Sequence, residues 1–333
     1  MSHLALQQQA SWQEVLASTI TDTAELCRLL DLDLACLPEG HPILQQFPLR
    51  VPTPYLGRIE KGNPFDPLLL QIFPAHAEGL EHPGYTEDPL QEGAANPKPG
   101  ILHKYEGRAL LLVTSSCAIH CRYCFRRHFP YQENLPGKQL WQESLAYLAE
   151  DESISEVIFS GGDPLSLPDK YLNWFLEELA KIPHIRRIRI HTRLPIMIPQ
   201  RITSALCQLL ANPRFQTILV LHSNHAQEFD QEVDRACESL RKAGVVLLNQ
   251  SVLLKGVNDS CEALKALSER LFQAGILPYY LHLLDRVSGA AHFDVSEEKG
   301  KALIAALQQC LSGYLVPKLV RENPGASSKT PIA

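Results

Sequence analysis

The chain has 333 residues, 45% of them hydrophobic, and a formal net charge of −6 from 31 Lys plus Arg against 37 Asp plus Glu. That length can bury a large core, as one sizeable domain or two smaller ones. The acidic balance argues against a dedicated nucleic-acid binder, no apolar run approaches the roughly 18–20 residues of a membrane span, and the start MSHLALQQQASWQEV lacks the charged-then-apolar pattern of a secretory signal.

Residues 11–31 read as helix, because Trp12, Val15, Leu16, Ile20, Leu26 and Leu29 recur at helical spacing. Pro38, Pro42, Pro48, Pro52, Pro54, Pro64, Pro67 and Pro74 then break the chain, which predicts short helices joined by proline-rich connections. Residues 83–100, PGYTEDPLQEGAANPKPG, read as a polar linker. From about residue 108, short apolar runs alternate with longer amphipathic ones. Candidate strands are Ala109–Thr114, Glu156–Ser160, Arg186–Thr192, Gln216–His222, Gly244–Ser251 and Pro278–Leu284. Helical segments lie near 138–150, 169–181, 200–211, 228–242, 260–274 and 295–312. This alternation implies parallel strands joined by right-handed crossovers. Six units build either an open doubly wound sheet or an incomplete (β/α) barrel, and periodicity alone leaves both open.

The chain has nine cysteines. An odd number with no signal peptide is expected as reduced thiols in a cytosolic setting. Cys27, Cys36, Cys207, Cys237, Cys261 and Cys310 are scattered and expected to act as small buried hydrophobes. Cys117, Cys121 and Cys124 fall within eight residues, directly after the first candidate strand. Their spacing suits a zinc site, with His120 or His128 as fourth ligand, or an iron–sulfur cluster. In the second case three thiolates hold three irons of a four-iron cube and leave the fourth open to a non-protein ligand. The C-terminal end of a barrel strand is where such folds place chemistry.

The run Cys117-Ala-Ile-His-Cys121-Arg-Tyr-Cys124 resembles the radical S-adenosylmethionine (SAM) superfamily, and Ser160-Gly161-Gly162-Asp163 resembles its second signature, the loop that holds the SAM amino group. More narrowly, HKYEGRALLLVTSSCAIHCRYCFRRHF, IFSGGDPL, LLNQSVLLKGVND, PYYLHLLD, AAHF and VPKLVRENPGASSKTP resemble the lysine 2,3-aminomutase family, collinear from about residue 48 to the end. The similarity is strongest to the branch working on the elongation factor P modification pathway. It implies an incomplete (β/α)6 TIM-like radical SAM barrel over 101–315, preceded by a helical, proline-rich N-terminal region, 1–100, and followed by a C-terminal segment, 316–333. It also implies a [4Fe–4S] cluster, SAM and pyridoxal 5′-phosphate (PLP), and an isomerase that moves the α-amino group of L-lysine to the β-carbon to give (R)-β-lysine. A reductant protein would supply the electron, and a lysyl ligase would attach the product to elongation factor P. No nucleic-acid or membrane partner is implied, and the setting is cytoplasmic. The alternatives are an enzyme making free β-lysine as a metabolite and a non-catalytic metal-binding barrel.

Residue by residue, the resemblance makes Cys117, Cys121 and Cys124 the cluster ligands and Lys329 the lysine that forms an aldimine with PLP. A lysine in that role must reach the cofactor aldehyde and lose its proton, which a desolvated pocket favours. Lys104, Arg108 and Tyr105 fall near PLP, and His222 and Gln250 near the SAM and PLP sites. Arg126 would bind the substrate carboxylate, which suits a guanidinium fork. Asp285 and Glu322 would receive the ε-ammonium. Ala326-Ser327-Ser328 stand where the family has glycines, and Glu322 where it has aspartate.

Overall fold

The computed structural model describes residues 10–33, 46–134 and 137–333; Cys36, Pro38 and Pro42 lie outside them. The strands are β1 (Ile101–Tyr105), β2 (Arg108–Thr114), β3 (Glu156–Gly161), β4 (Arg187–Thr192), β5 (Gln216–Leu221), β6 (Val246–Val252), β7 (Leu277–His282), β8 (Lys318–Arg321) and β9 (Thr330–Pro331). They form one sheet in sequential order. Strands β2 to β8 pair in parallel, while β1 and β9 are antiparallel edges. Six helices fill the six crossovers: α3 (Lys138–Glu150), α4 (Asp169–Ala180), α5 (Ser204–Leu210), α6 (Gln231–Lys242), α7 (Cys261–Gln273) and α8 (Glu297–Cys310). A doubly wound sheet reverses its strand order partway. Here the order never reverses, so crossovers of one hand place every helix on the same face. The sheet is therefore an unclosed barrel wall, as the family resemblance implied.

Strand alternation sorts the side chains. Leu111, Val113, Val157, Phe159, Ile188, Ile190, Leu219 and Leu247 face the helices and pack against residues such as Leu148, Phe175, Leu179 and Leu240. Each such side chain contributes up to about 1.5–3 kcal/mol by burial. The opposite face, one residue out of step, carries Arg108, Ser160, Arg189, His191, Gln250, Tyr280 and His282 and lines a cavity of about 680 Å³. A two-residue turn joins β1 to β2, and Gly107 takes its positive φ of 77°.

The N-terminal region departs from the expected single helix. Two short helices form, α1 (Trp12–Ala17) and α2 (Thr23–Leu29). Ser11 and Glu14 make a capping box for α1, and Asp22 caps α2. Between them the β-branched Ile20 leaves the helix to pair with Val51, N–O 2.8 and 3.0 Å. The hydrophobic core runs without a break from Trp12 and Leu26 into the barrel's helix layer.

Residues 83–100 are not a free linker. Thr86 bridges Val287, and Leu90 and Glu92 are buried. Among the scattered cysteines, Cys27 and Cys237 are buried as expected, but Cys310 is exposed. No described helix is long and apolar enough to cross a membrane.

Candidate active site

The cavity runs along the inner face of the parallel strands, from their first residues Arg108, Glu156 and Arg187 to the loops that follow their C-terminal ends. At one end is the loop after β2, folded as successive turns: Cys124 N donates to Cys121 O (3.0 Å) and Arg127 N to Cys124 O (3.2 Å). The N-terminal region clamps this loop from outside. Arg122 and Arg127 both reach the fully buried Glu78, at 2.6 and 2.7 Å. Cys117, Cys121 and Cys124 all line the cavity. His120 and His128 do not line the cavity with the cysteines; their rings contact the carbonyls of Pro48 (2.7 Å) and Ser288 (3.3 Å). Among the described residues, no three His, Cys, Asp or Glu side chains converge as ligands of a single ion do. A four-iron cluster asks for something else, because each thiolate binds a different iron and the sulfurs stand apart around a shared space. Three thiols on one loop around one cavity fit that requirement. Desolvation pushes the Cys117 thiol well up, helped by Asp163, and raises Cys124 to about 11, helped by Cys121. Metal loading would therefore release protons. Arg193 Nη1 lies 2.8 Å from Cys121 Sγ.

The glycine loop after β3 is locked to the cysteine loop. Gly162 N donates to Thr114 O (2.7 Å) and Asp163 N to Ser116 O (2.8 Å). Gly161 has φ +112°, and a Cβ there would lie 2.4 Å from Thr114 O; one at Gly162 would lie 2.5 Å from Ser116 O. Only glycine allows this approach. The Asp163 carboxylate accepts from Thr192 Oγ1 and from the amides of Leu165, Arg193 and Leu194, at 2.6–3.0 Å. Its acceptor capacity is committed to joining the ends of β3 and β4. What the loop presents to the cavity is therefore mainly backbone and the Ser160 hydroxyl. Tyr131 donates to Gly161 O at 2.7 Å.

At the opposite end, β8 and β9 bring in the last residues. Lys329 Nζ sits 2.7 Å from Glu322 Oε2, and Lys104 Nζ sits 2.9 Å from Glu322 Oε1. Burial works to raise the Glu322 pKa, but the two ammonium groups outweigh it and hold the carboxyl well below its usual range. Asp285 goes the other way: desolvation, then the charge of Glu322, push it up to about 7. Arg108 lies over the Tyr105 ring at 4.6 Å, and desolvation plus Glu322 raise the Tyr105 phenol. Lys329 lies 5.9 Å from the centre of the Tyr280 ring. Arg126 donates to both oxygens of Glu92 (2.7 and 2.9 Å) and to Ser160 Oγ (2.9 Å).

Between the two ends lie His191, His222, Gln250 and His282. Their His Nε2 atoms and Gln250 Oε1 are buried without a hydrogen-bond partner among the described residues. Burial, then nearby cations, lower all three histidines, His222 to about 3, so the rings are neutral. Orphaned buried polar atoms facing a cavity imply a polar occupant, and this wall suits ligands rich in nitrogen and oxygen such as SAM and PLP.

Every residue that the family resemblance assigned as a ligand, cofactor or substrate contact lines this cavity. Lys104 differs in detail, since its ammonium is taken up by two carboxylates. Sequence reading missed Glu92, His191, Arg193 and His282. A signal existed for His191: Arg187-Ile-Arg-Ile-His-Thr192 alternates polar and apolar on a strand flanked by helices, which betrays a polar inner face. Glu92 had none, because DPLQEG reads as a loop.

Residues 111–267 match the Radical SAM superfamily. The chain is similar to L-lysine 2,3-aminomutase of Haemophilus influenzae, 50% identical over 325 residues, covering 98% of this chain and 96% of that protein. It is similar to L-lysine 2,3-aminomutase of Escherichia coli K12, 52% identical over 322 residues, covering 96% and 94%. It is also similar to glutamate 2,3-aminomutase of Clostridioides difficile, 34% identical over 323 residues, covering 96% and 75%.

Proposed function

The chain belongs to the lysine 2,3-aminomutase family of the radical SAM superfamily, and from that premise we propose that it is an isomerase moving the α-amino group of L-lysine to the β-carbon, giving (R)-β-lysine. Family membership implies a [4Fe–4S] cluster, SAM and PLP. The observation that carries the reading is the single cavity that has three thiols at one end and Lys329, Asp285 and Glu322 at the other.

Cys117, Cys121 and Cys124 would hold the iron–sulfur cluster, whose remaining iron would be open to SAM. Ser160, the Gly161-Gly162 backbone, His222 and Gln250 form the SAM wall, with Asp163 holding the loop in place. Lys329 would carry PLP, with Arg108 and Tyr105 beside it. When bound, the cluster and SAM supply a carbon-centred radical able to take hydrogen from an unactivated C–H bond, and PLP supplies the conjugated ring through which an amino group can migrate. Arg126 holds the substrate α-carboxylate. Asp285 and Glu322 hold the ε-ammonium. Support for that last role comes from Glu322 itself, which already binds two ammonium groups, those of Lys104 and Lys329. With Lys329 occupied by PLP, Glu322 Oε2 would be available to accept from the substrate ammonium. Two carboxylates at this end disfavour glutamate, whose second carboxylate would meet like charge.

The product's destination is proposed as elongation factor P, through a lysyl ligase, with a reductant protein feeding the cluster in the cytoplasm. The segments CRYCFRRHFPY, GAAHF and SKTP support that destination. The test is anaerobic incubation of the reconstituted protein with SAM, a reductant and either L-lysine or L-glutamate. The reading expects β-lysine and no β-glutamate. Conversion of glutamate, or SAM cleavage with lysine untouched, overturns it.

A further inference from the structure

Glu92 is 3% exposed, yet it carries a carboxylate into the cavity wall from a stretch rich in proline and glycine. Its surroundings account for that. Oε2 accepts from Arg126 Nε at 2.7 Å, and Oε1 accepts from Arg126 Nη2 at 2.9 Å and from Lys104 Nζ at 3.0 Å. Lys104 continues to Glu322 at 2.9 Å, and Glu322 to Lys329 at 2.7 Å. The result is a row of alternating charge, Arg126–Glu92–Lys104–Glu322–Lys329, along one side of the cavity.

We propose that Glu92 and Lys104 form an internal strut that sets the span between the α-carboxylate and ε-ammonium ends of the substrate pocket, making them positioning residues for substrate chain length. The proposal rests on the roles given above to Arg126, Asp285 and Glu322. The Arg126 guanidinium has five N–H donors. Glu92 takes two from its side edge and Ser160 takes one. Two remain for a substrate carboxylate, and the side-on grip fixes the direction they face. At the other end, Lys104 pins one oxygen of Glu322 and leaves the second on the Lys329 side. A side chain shorter than lysine, anchored by its carboxylate at Arg126, cannot bring its ammonium to Glu322 while the strut holds the two apart. Lys104 also places a positive charge between the ends, which penalises a cation that stops short.

The experiment is calorimetric titration of L-lysine and L-ornithine into the reconstituted enzyme with SAM and PLP bound and no reductant, so that no turnover occurs. Glu92→Gln keeps the shape but loses the charge. It is expected to weaken lysine binding about tenfold or more and ornithine binding much less, with iron and PLP content unchanged. Lys104→Gln is expected to narrow the same lysine-to-ornithine ratio, and Glu92→Asp, which keeps the charge, to retain part of it. The last two variants carry the test if Glu92→Gln does not fold. Equal weakening of both ligands, or no change in either, overturns the strut. Arg126→Lys separates the two readings. If it leaves lysine binding intact, the carboxylate assignment fails. If it weakens lysine binding while the Glu92 and Lys104 variants do not change the ratio, only the strut fails.

Discussion

Asp285 and Glu322 are both carboxyls facing the same cavity, but their surroundings set them apart. Glu322 is held ionised by Lys329 and Lys104, whereas desolvation and the Glu322 charge lift Asp285 to about 7. A raised acid stabilises the fold in its protonated form. That contribution is full below the unfolded value, near 4, and is lost as pH rises through about 7. Binding a substrate ammonium needs the ionised form, so it pulls in the opposite direction. Non-turnover lysine affinity should therefore rise from about pH 6 to about pH 8, by up to about tenfold per unit at the low end. Asp285→Asn should flatten that rise and weaken lysine binding while leaving SAM affinity unchanged. A pH slope that persists in the variant would assign the proton to another group. At this scale the sequence was most legible where chemistry is local. Three closely spaced cysteines declare themselves by spacing, whereas Glu92 and Arg193 act through partners 34 and 35 positions away, Arg126 and Glu228.

The glycine loop shows what one element contributes to another. The backbone after β3 crosses the start of the cysteine loop so closely that a Cβ at Gly161 would lie 2.4 Å from Thr114 O, at a φ of +112°. Gly161→Ala is expected to cost about 1–3 kcal/mol in urea or thermal unfolding and to weaken SAM binding. Normal SAM affinity in a correctly folded variant would remove the loop from the SAM wall. The elements themselves were legible in proportion to their periodicity. The six crossover helices and the strands from β2 to β7 follow apolar patterns, so their expected limits are close to those observed. Strand β1 is short and carries His103, Lys104 and Tyr105, so pattern alone does not mark it. Strands β8 and β9 have four and two residues, and both are placed by pairing rather than by pattern: β8 pairs with β7, and β9 only with β8. The residue 11–31 pattern is helical throughout, but the Ile20–Val51 pairing and two caps divide it. Residues 83–100 read as linker because their buried groups find partners far along the chain.

At the scale of the whole molecule, strand order does the positioning. A sheet that winds in sequence brings the first hairpin and the last strand to its two edges, and both edges still contribute to the charged row through Lys104 and Lys329. The second edge depends on few contacts: Leu319 N donates to Ala333 O at 3.0 Å, and Ile332 N to Leu319 O at 2.8 Å. Removing residues 330–333 should release Lys329, so that borohydride treatment fixes far less PLP to the protein, as in Lys329→Ala. Undiminished fixation in both variants would move PLP to another lysine. The choice between a barrel wall and a doubly wound sheet was open in the periodicity, since both share the same alternation and only the strand order separates them.

Cys117, Cys121, Cys124 and Lys329 line one cavity, so SAM held at the cysteine end should take hydrogen directly from lysine held near Lys329. L-Lysine deuterated at the β-carbon tests it, with anaerobic turnover followed by mass analysis of the adenosyl group. Deuterium in the 5′-deoxyadenosyl methyl or methylene carbon is the expected result. Formation of β-lysine with no deuterium in the adenosyl group would contradict it.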